Sequence, residues 1–187
     1  MKESQRRKRT RAYVCIGSNM GDRAGYLLLA VRAMLNGGLP ISRLSSVYET
    51  EPVDLREQPE FLNMVAELRG TLPSPEELLA HLLEIERLLG RQRGPIQRGP
   101  RTVDLDLLLY DDVEISSDFL TLPHPRLHLR RFVLAPLAEI APRARHPTLK
   151  RTAAQLLAEV CDAARVEVWP KREIVPPSID VYPHSRG

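Results

Sequence analysis

The chain has 187 residues, enough for one domain with a sizeable core, and its 43% hydrophobic and 27% charged residues are ordinary for a water-soluble globular protein. No apolar run approaches the roughly 20 residues that a bilayer span needs, the N-terminus lacks the long apolar region of a secretory signal, and two cysteines make neither a disulfide framework nor a zinc site. The net charge of +3 is unevenly placed, because six basic residues against Glu3 put +5 in residues 1–11 and leave −2 for the rest.

These features predict a cytoplasmic protein with a basic, disordered tail over 1–11, one domain over 12–164, and an extended tail over 165–187 that holds Pro170, Pro176, Pro177 and Pro183. No aromatic residue is interleaved among the N-terminal charges, so nucleic acid is not expected as a partner.

Ala12 to Gly17 reads as a short strand, apolar enough to be buried on both faces. The turn cluster Gly17 to Asp22 leads into a helix over 22–35 with Leu27, Leu28, Val31 and Leu35 on its inner face. Asn36-Gly37-Gly38 ends it. One strand is predicted over 41–50, then a loop over 51–60 and a strand over 61–68 that carries Asn63. Ser74 and Pro75 open a helix over 75–89 with a Leu78, Leu79, Leu82, Ile85, Leu89 stripe. A basic Gly/Pro loop over 90–101 delivers the chain into a strand over 102–110. A hairpin around Ile115 and Phe119–Leu122 follows, with helices over 130–140, broken or ended near Pro136, and over 152–160. The order predicts an α+β fold with a ferredoxin-like βαββαβ core, an antiparallel sheet with helices on one face, and a C-terminal hairpin and helices.

The chemistry concentrates in Gly99-Pro-Arg-Thr-Val-Asp-Leu-Asp106. Strand side chains alternate with period two, so Asp104 and Asp106 point the same way, roughly 6.5 to 7 Å apart. Two carboxylates so placed repel unless a cation joins them, and an all-oxygen set beside phosphate suits Mg²⁺. Arg91, Arg93, Arg98 and Arg101 crowd the preceding loop, and guanidinium forks match phosphate oxygens. By chemistry alone the segment serves equally well as an ion-pair network on a solvated strand face. His124 stands between two prolines, where a turn histidine without a task is the simpler reading. A P-loop kinase is excluded, since no Gly-rich loop ends in Gly-Lys-Ser/Thr, and protein-kinase signatures are absent.

Gly99 to Leu108 closely resembles the signature of the 6-hydroxymethyl-7,8-dihydropterin pyrophosphokinase family. The likeness extends to Ile16–Gly21, Ser46–Thr50, Gln58–Asn63, Glu84–Glu86, Gly90-Arg91, Leu122–His124 and Arg130–Phe132, in the family's order across about residues 12–160. It implies transfer of the β,γ-pyrophosphoryl unit of ATP to a hydroxymethyl-dihydropterin, with release of AMP. It further implies two Mg²⁺ ions on Asp104 and Asp106, with Arg91 and Arg101 stabilising the transferring group. Arg93, Arg98, Thr121, His124 and Arg130 would serve the phosphates or nucleotide, and Glu86 the ATP side. Phe61 and Phe132 would sandwich the pterin, Asn63 would read its amide edge, and Thr50 and Val53 would offer backbone contacts. A monomer without membrane association is expected.

Arg98, Gln97, Leu83, Phe119 and Glu51 depart from the residues frequent in the family, which touches the periphery of the site and leaves the Asp–Asp–Arg centre intact. Two rivals remain: a ferredoxin-like RNA-binding module, which would expose aromatics on a basic sheet, and a catalytically inactive family member. The aspartates argue against the first, and the presence of both aspartates with Arg91 and Arg101 argues against the second.

Overall fold

The structure, a computed structural model, describes residues 9–53, 57–91 and 99–170. Strand β1 (Thr10–Ser18) pairs antiparallel with β5 (Asp104–Tyr110) on one side and β4 (Phe61–Gly70) on the other. The far edge of β4 pairs with β2 (Ile41–Leu44) and β3 (Tyr48–Thr50), and β3 in turn pairs with β8 (Val166–Val168). The long path through the sheet is therefore β5-β1-β4-β3-β8.

The pleat of β1 sorts the core into two halves. Ala12, Val14 and Ile16 face helices α1 (Arg23–Asn36) and α2 (Pro75–Leu88), together with Leu62, Met64, Leu68, Leu105 and Leu107. Tyr13, Cys15 and Val65 face the other way, where α3 (Arg131–Ile140) and α4 (Ala153–Glu159) supply Leu134, Leu137 and Leu156. Helices thus cover both faces, not one as expected. A strand apolar at both parities exposes its second face unless another layer buries it. No helix among the described residues is long and apolar enough to cross a membrane.

Helix α2 forms as predicted, with a reciprocal capping box between Ser74 and Glu77, Pro75 in the first turn, and Leu78, Leu82 and Ile85 buried. Leu82 is fully enclosed, so Leu82→Ala is expected to cost about 3 kcal/mol, read as a lower urea midpoint at unchanged slope. Helix α1 spans the predicted range but turns a different arc inward. Leu27, Ala30 and Met34 are buried, whereas Leu28 is 71% and Leu35 52% exposed.

The strand predicted over 41–50 is broken at Ser45–Val47 because α3 claims its backbone. Glu139 accepts from the Ser46 amide at 3.0 Å and from the Tyr48 hydroxyl at 2.9 Å. The helix over Pro136 does not break. The missing amide costs about 3 kcal/mol in a helix interior, and the enclosure of Val133, Leu134 and Leu137, each contributing about 1.5–3 kcal/mol, outweighs it. The hairpin appears as β6 (Ile115–Ser116) with β7 (Thr121–Leu122). The start of the predicted C-terminal tail is strand β8, which covers the free edge of β3.

Candidate active site

Sheet register alone assembles the centre. Gly17 lies between Asn63 of β4 and Asp104 of β5, and Cys15 lies between Val65 and Asp106. Paired residues share a face, so Asn63, Asp104 and Asp106 emerge together on the α3 side of the sheet. The predicted orientation of the two aspartates is met, and both line open clefts. Gly17 makes the approach possible: a Cβ there would stand 2.6 Å from the Asn63 amide oxygen.

Cations and carboxylates then form a chain. The Arg91 guanidinium bridges Glu86 and Asp104, and Arg101 Nε lies 3.2 Å from the other Asp104 oxygen. Glu86, expected at the nucleotide, is only 3% exposed and accepts from the Leu105 amide at 2.7 Å. It braces Arg91 against β5. Burial pushes its carboxyl above the ordinary range, and the Arg91 charge partly offsets this. Among the described residues no guanidinium is ion-paired with Asp106 as Arg91 is with Asp104; Arg130 and Arg101 act on it from farther away. Burial and the neighbouring Asp104 charge hold its carboxyl well above the usual carboxylate range. Cys15, underneath, is inert as a nucleophile, because burial and both aspartates push its thiol up.

The first cleft runs from the aspartates past Phe61, Asn63 and Thr50 to Val53 and Phe132. Phe61 and Asn63 are 8% and 3% exposed, and the Asn63 amide donates to the Thr50 hydroxyl at 2.7 Å. The Arg101 guanidinium lies 5.3 Å over the Phe61 ring and that of Arg130 5.3 Å over Phe132. With arginines on the aromatic faces, about 40 Å³ of the cleft is open. Val53 is exposed at the rim.

The second cleft shares Asp104 and Asp106 with the first and extends between α2 and the β6–β7 hairpin, past Leu83, Phe119 and Thr121. Its volume is about 240 Å³. His124 lies on its wall, with Nε2 4.0 Å from Asp106 and Nδ1 accepting from the Arg126 amide at 3.2 Å. Burial, then Arg130 and Arg126, lower its pKa to about 4. Its folded-state value therefore lies below the unfolded one. His124 stabilises the fold above about pH 6.5, and that contribution is lost as pH falls toward 4. We predict that the melting temperature of His124→Gln declines less than wild type between these values; equal declines in thermal melts would refute it.

Several contributors carried no assignment in the sequence. Asn19 joins three segments: its oxygen accepts from the Arg101 amide at 2.8 Å, and its amide reaches Gln58 at 3.1 Å and the Pro59 carbonyl at 3.2 Å. Arg23 ties the Glu60 carbonyl to Glu49. The polar turn Gly17–Asp22 marks a loop, and the family likeness over Ile16–Gly21 and Gln58–Asn63 covers several of these residues, but neither names their partners. Of the departures, Glu51 is tied to Arg165 at the start of β8, while Leu83 and Phe119 make the far wall of the second cleft apolar. Arg93, Arg98 and Gln97 lie outside the described residues. The sheet face that an RNA-binding platform would use is covered by α3 and α4 or carries the aspartates.

The family described as 7,8-dihydro-6-hydroxymethylpterin-pyrophosphokinase (HPPK) matches residues 13–142. The chain is 40% identical over 177 residues to a 2-amino-4-hydroxy-6-hydroxymethyldihydropteridine pyrophosphokinase of Bacillus subtilis, covering 94% of this chain and 98% of that one. It is 39% identical over 139 residues to the protein of the same name from Aquifex aeolicus, covering 74% and 85%. Among solved structures, Plasmodium falciparum HPPK-DHPS with pteroate aligns at a TM-score of 0.64 and 15% identity, over 81% of this chain and 44% of that one, a likeness of fold.

Proposed function

The chain belongs to the 7,8-dihydro-6-hydroxymethylpterin-pyrophosphokinase family, and from that premise we propose how its residues divide the work. The reaction transfers pyrophosphate from ATP to the hydroxymethyl group of 6-hydroxymethyl-7,8-dihydropterin and releases AMP, a step of folate synthesis. The observation that carries the assignment is that two clefts of different character meet at one pair of carboxylates. The pterin enters the aromatic cleft between Phe61 and Phe132, displacing the arginines stacked there, and presents its polar edge to Asn63 and Thr50. Val53 contacts it at the rim. The nucleotide enters the second cleft, its base against the apolar wall at Leu83 and Phe119, with Thr121, His124 and Arg130 along its phosphates. Arg93 and Arg98 complete that reading from the sequence.

Asp104 and Asp106 fit a pair of magnesium ions. Their donors are all oxygen, and they face one way. Magnesium is commonly held by one or two carboxylates, with water and phosphate oxygens completing the ligand set, which is the share Asp104 and Asp106 would supply. Bound there, magnesium lowers the proton affinity of a coordinated hydroxyl and neutralises phosphate charge. Arg91 and Arg101, already at Asp104, move to the transferring group as its charge is redistributed. A bond forms between the hydroxymethyl oxygen and the β-phosphorus as the hydroxyl proton passes to water, the bond from that phosphorus to the oxygen bridging to the α-phosphate breaks, and AMP departs.

The strand order β5-β1-β4-β3, with α1 and α2 on one face, supports the ferredoxin-like reading of the core. Free thiols at Cys15 and Cys161 support a reducing, cytoplasmic setting, and a lining from one chain requires only a monomer. Incubation with ATP, Mg²⁺ and hydroxymethyl-dihydropterin tests the reading. AMP and a pterin diphosphate are expected in equal amounts, and neither without the pterin. Release of ADP, or AMP formation indifferent to the pterin, would overturn it.

A further inference from the structure

The opposite end of β1 carries a second concentration of charge that the reaction does not use. A groove of about 290 Å³ is lined there by Arg9, Arg11, Arg69, Arg143 and Arg145. They come from three separate places: the start of β1, the end of β4, and the turn between α3 and α4. Asp111 and Asp112 are the acidic members of the lining, so five guanidinium groups face two carboxylates and the net lining charge is +3. The body of the chain beyond residue 11 is slightly acidic by sequence. Folding brings Arg69, Arg143 and Arg145 of that body beside Arg9 and Arg11.

Like charges brought together this way repel unless an anion joins them. Arg11 is partly answered by the buried Glu67 at 3.0 Å, and Arg145 donates to the Lys150 carbonyl at 3.3 Å. Planar forks at several points suit a chain of phosphate oxyanions better than a single carboxylate. The floor is Tyr13, Leu109 and Ala144, and Tyr13 is only 4% exposed, so no aromatic face is offered for a base. Arg11 and Gly17 are six residues apart on one strand, which puts the groove about 20 Å from the aspartate centre.

We infer that this groove is a second, separate anion site that takes a linear phosphate chain by its charge, without reading bases. Such a chain has two sources, free polyphosphate and the backbone of a single-stranded nucleic acid, and binding separates them. The full-length protein, kept in EDTA so that the aspartate centre recruits no metal, is titrated with inorganic tripolyphosphate by calorimetry. A labelled thymidine strand of about 15 nucleotides is titrated in parallel by anisotropy. At least one probe is expected to bind at about 50 mM salt, and the tighter one identifies the source.

The variant Arg69→Ala/Arg143→Ala/Arg145→Ala removes exposed side chains and is expected to fold, as its thermal melt will report. It should weaken binding about tenfold or more. For the strand it should also reduce the slope of log affinity against log salt by about 2, since each lost phosphate contact removes about 0.7. AMP formation by this variant should stay at the wild-type rate. Failure of both probes to bind, or equal binding by wild type and variant, would overturn the inference.

Discussion

Asp106→Asn is expected to lower turnover by about three orders of magnitude while raising stability at alkaline pH. The rate loss follows from removing one of the two carboxylates, the proposed magnesium ligands, at the shared floor of both clefts, where electrostatic stabilisation is the main catalytic resource. The stability gain follows from the raised carboxyl of Asp106. A folded-state pKa above the unfolded one means that the native state binds the proton more tightly. The contribution to stability is therefore full below the ordinary carboxylate pKa and is lost as pH rises through the raised value. The amide cannot ionise, so it escapes that loss, by about 1–2 kcal/mol after allowing for the partial exposure of the side chain. Thermal melts at pH 4 and pH 8 should show the advantage only at the higher pH. Turnover within tenfold of wild type would remove Asp106 from the mechanism, and a variant less stable at pH 8 would contradict the electrostatics.

Arg91→Ala is the second large effect, and here rate and stability fall together. A guanidinium aimed at a transferring phosphoryl group contributes about 10³-fold or more to turnover. In the free protein the same group is the cation beside Glu86, whose carboxylate is 3% exposed. Removing it leaves a buried charge whose one remaining hydrogen-bond donor among the described residues is the Leu105 amide, a loss of about 3 kcal/mol. Glu86→Gln in the Arg91→Ala background should restore most of the stability and none of the rate, because the two residues share one interaction. Denaturant titrations and steady-state kinetics on the four proteins of this cycle separate the roles. Independent, additive losses would show that Glu86 does not brace Arg91.

How much of this could be read beforehand depends on the range of the interaction concerned. That Asp104 and Asp106 share a face needed only the strand and its period of two. Helix α2 was equally local, since Ser74, Pro75 and Glu77 specify its start within four residues. Helix α1 was harder. Leu27, Leu28, Val31 and Leu35 form as good an apolar stripe as Leu27, Ala30 and Met34, and the sheet beneath α1 chose the arc with the smaller residues. The break between β2 and β3 depends on Glu139, more than ninety positions away in the chain. The second covered face of the sheet depends on helices that follow every strand of its centre.

Chain order alone sets the spacing of the aspartate pair, the stock of arginines around it, the principal elements, and a likeness to one family specific enough to state the reaction. Tertiary structure alone decided that Gly17 sits between Asn63 and Asp104, that two clefts open on the same carboxylates, that Asn19 clasps two loops, and that five arginines meet at the far end of β1. The division is physical: pleat and capping are set by neighbours along the chain, whereas register, cleft walls and charge clusters arise from segments that meet only when the core closes.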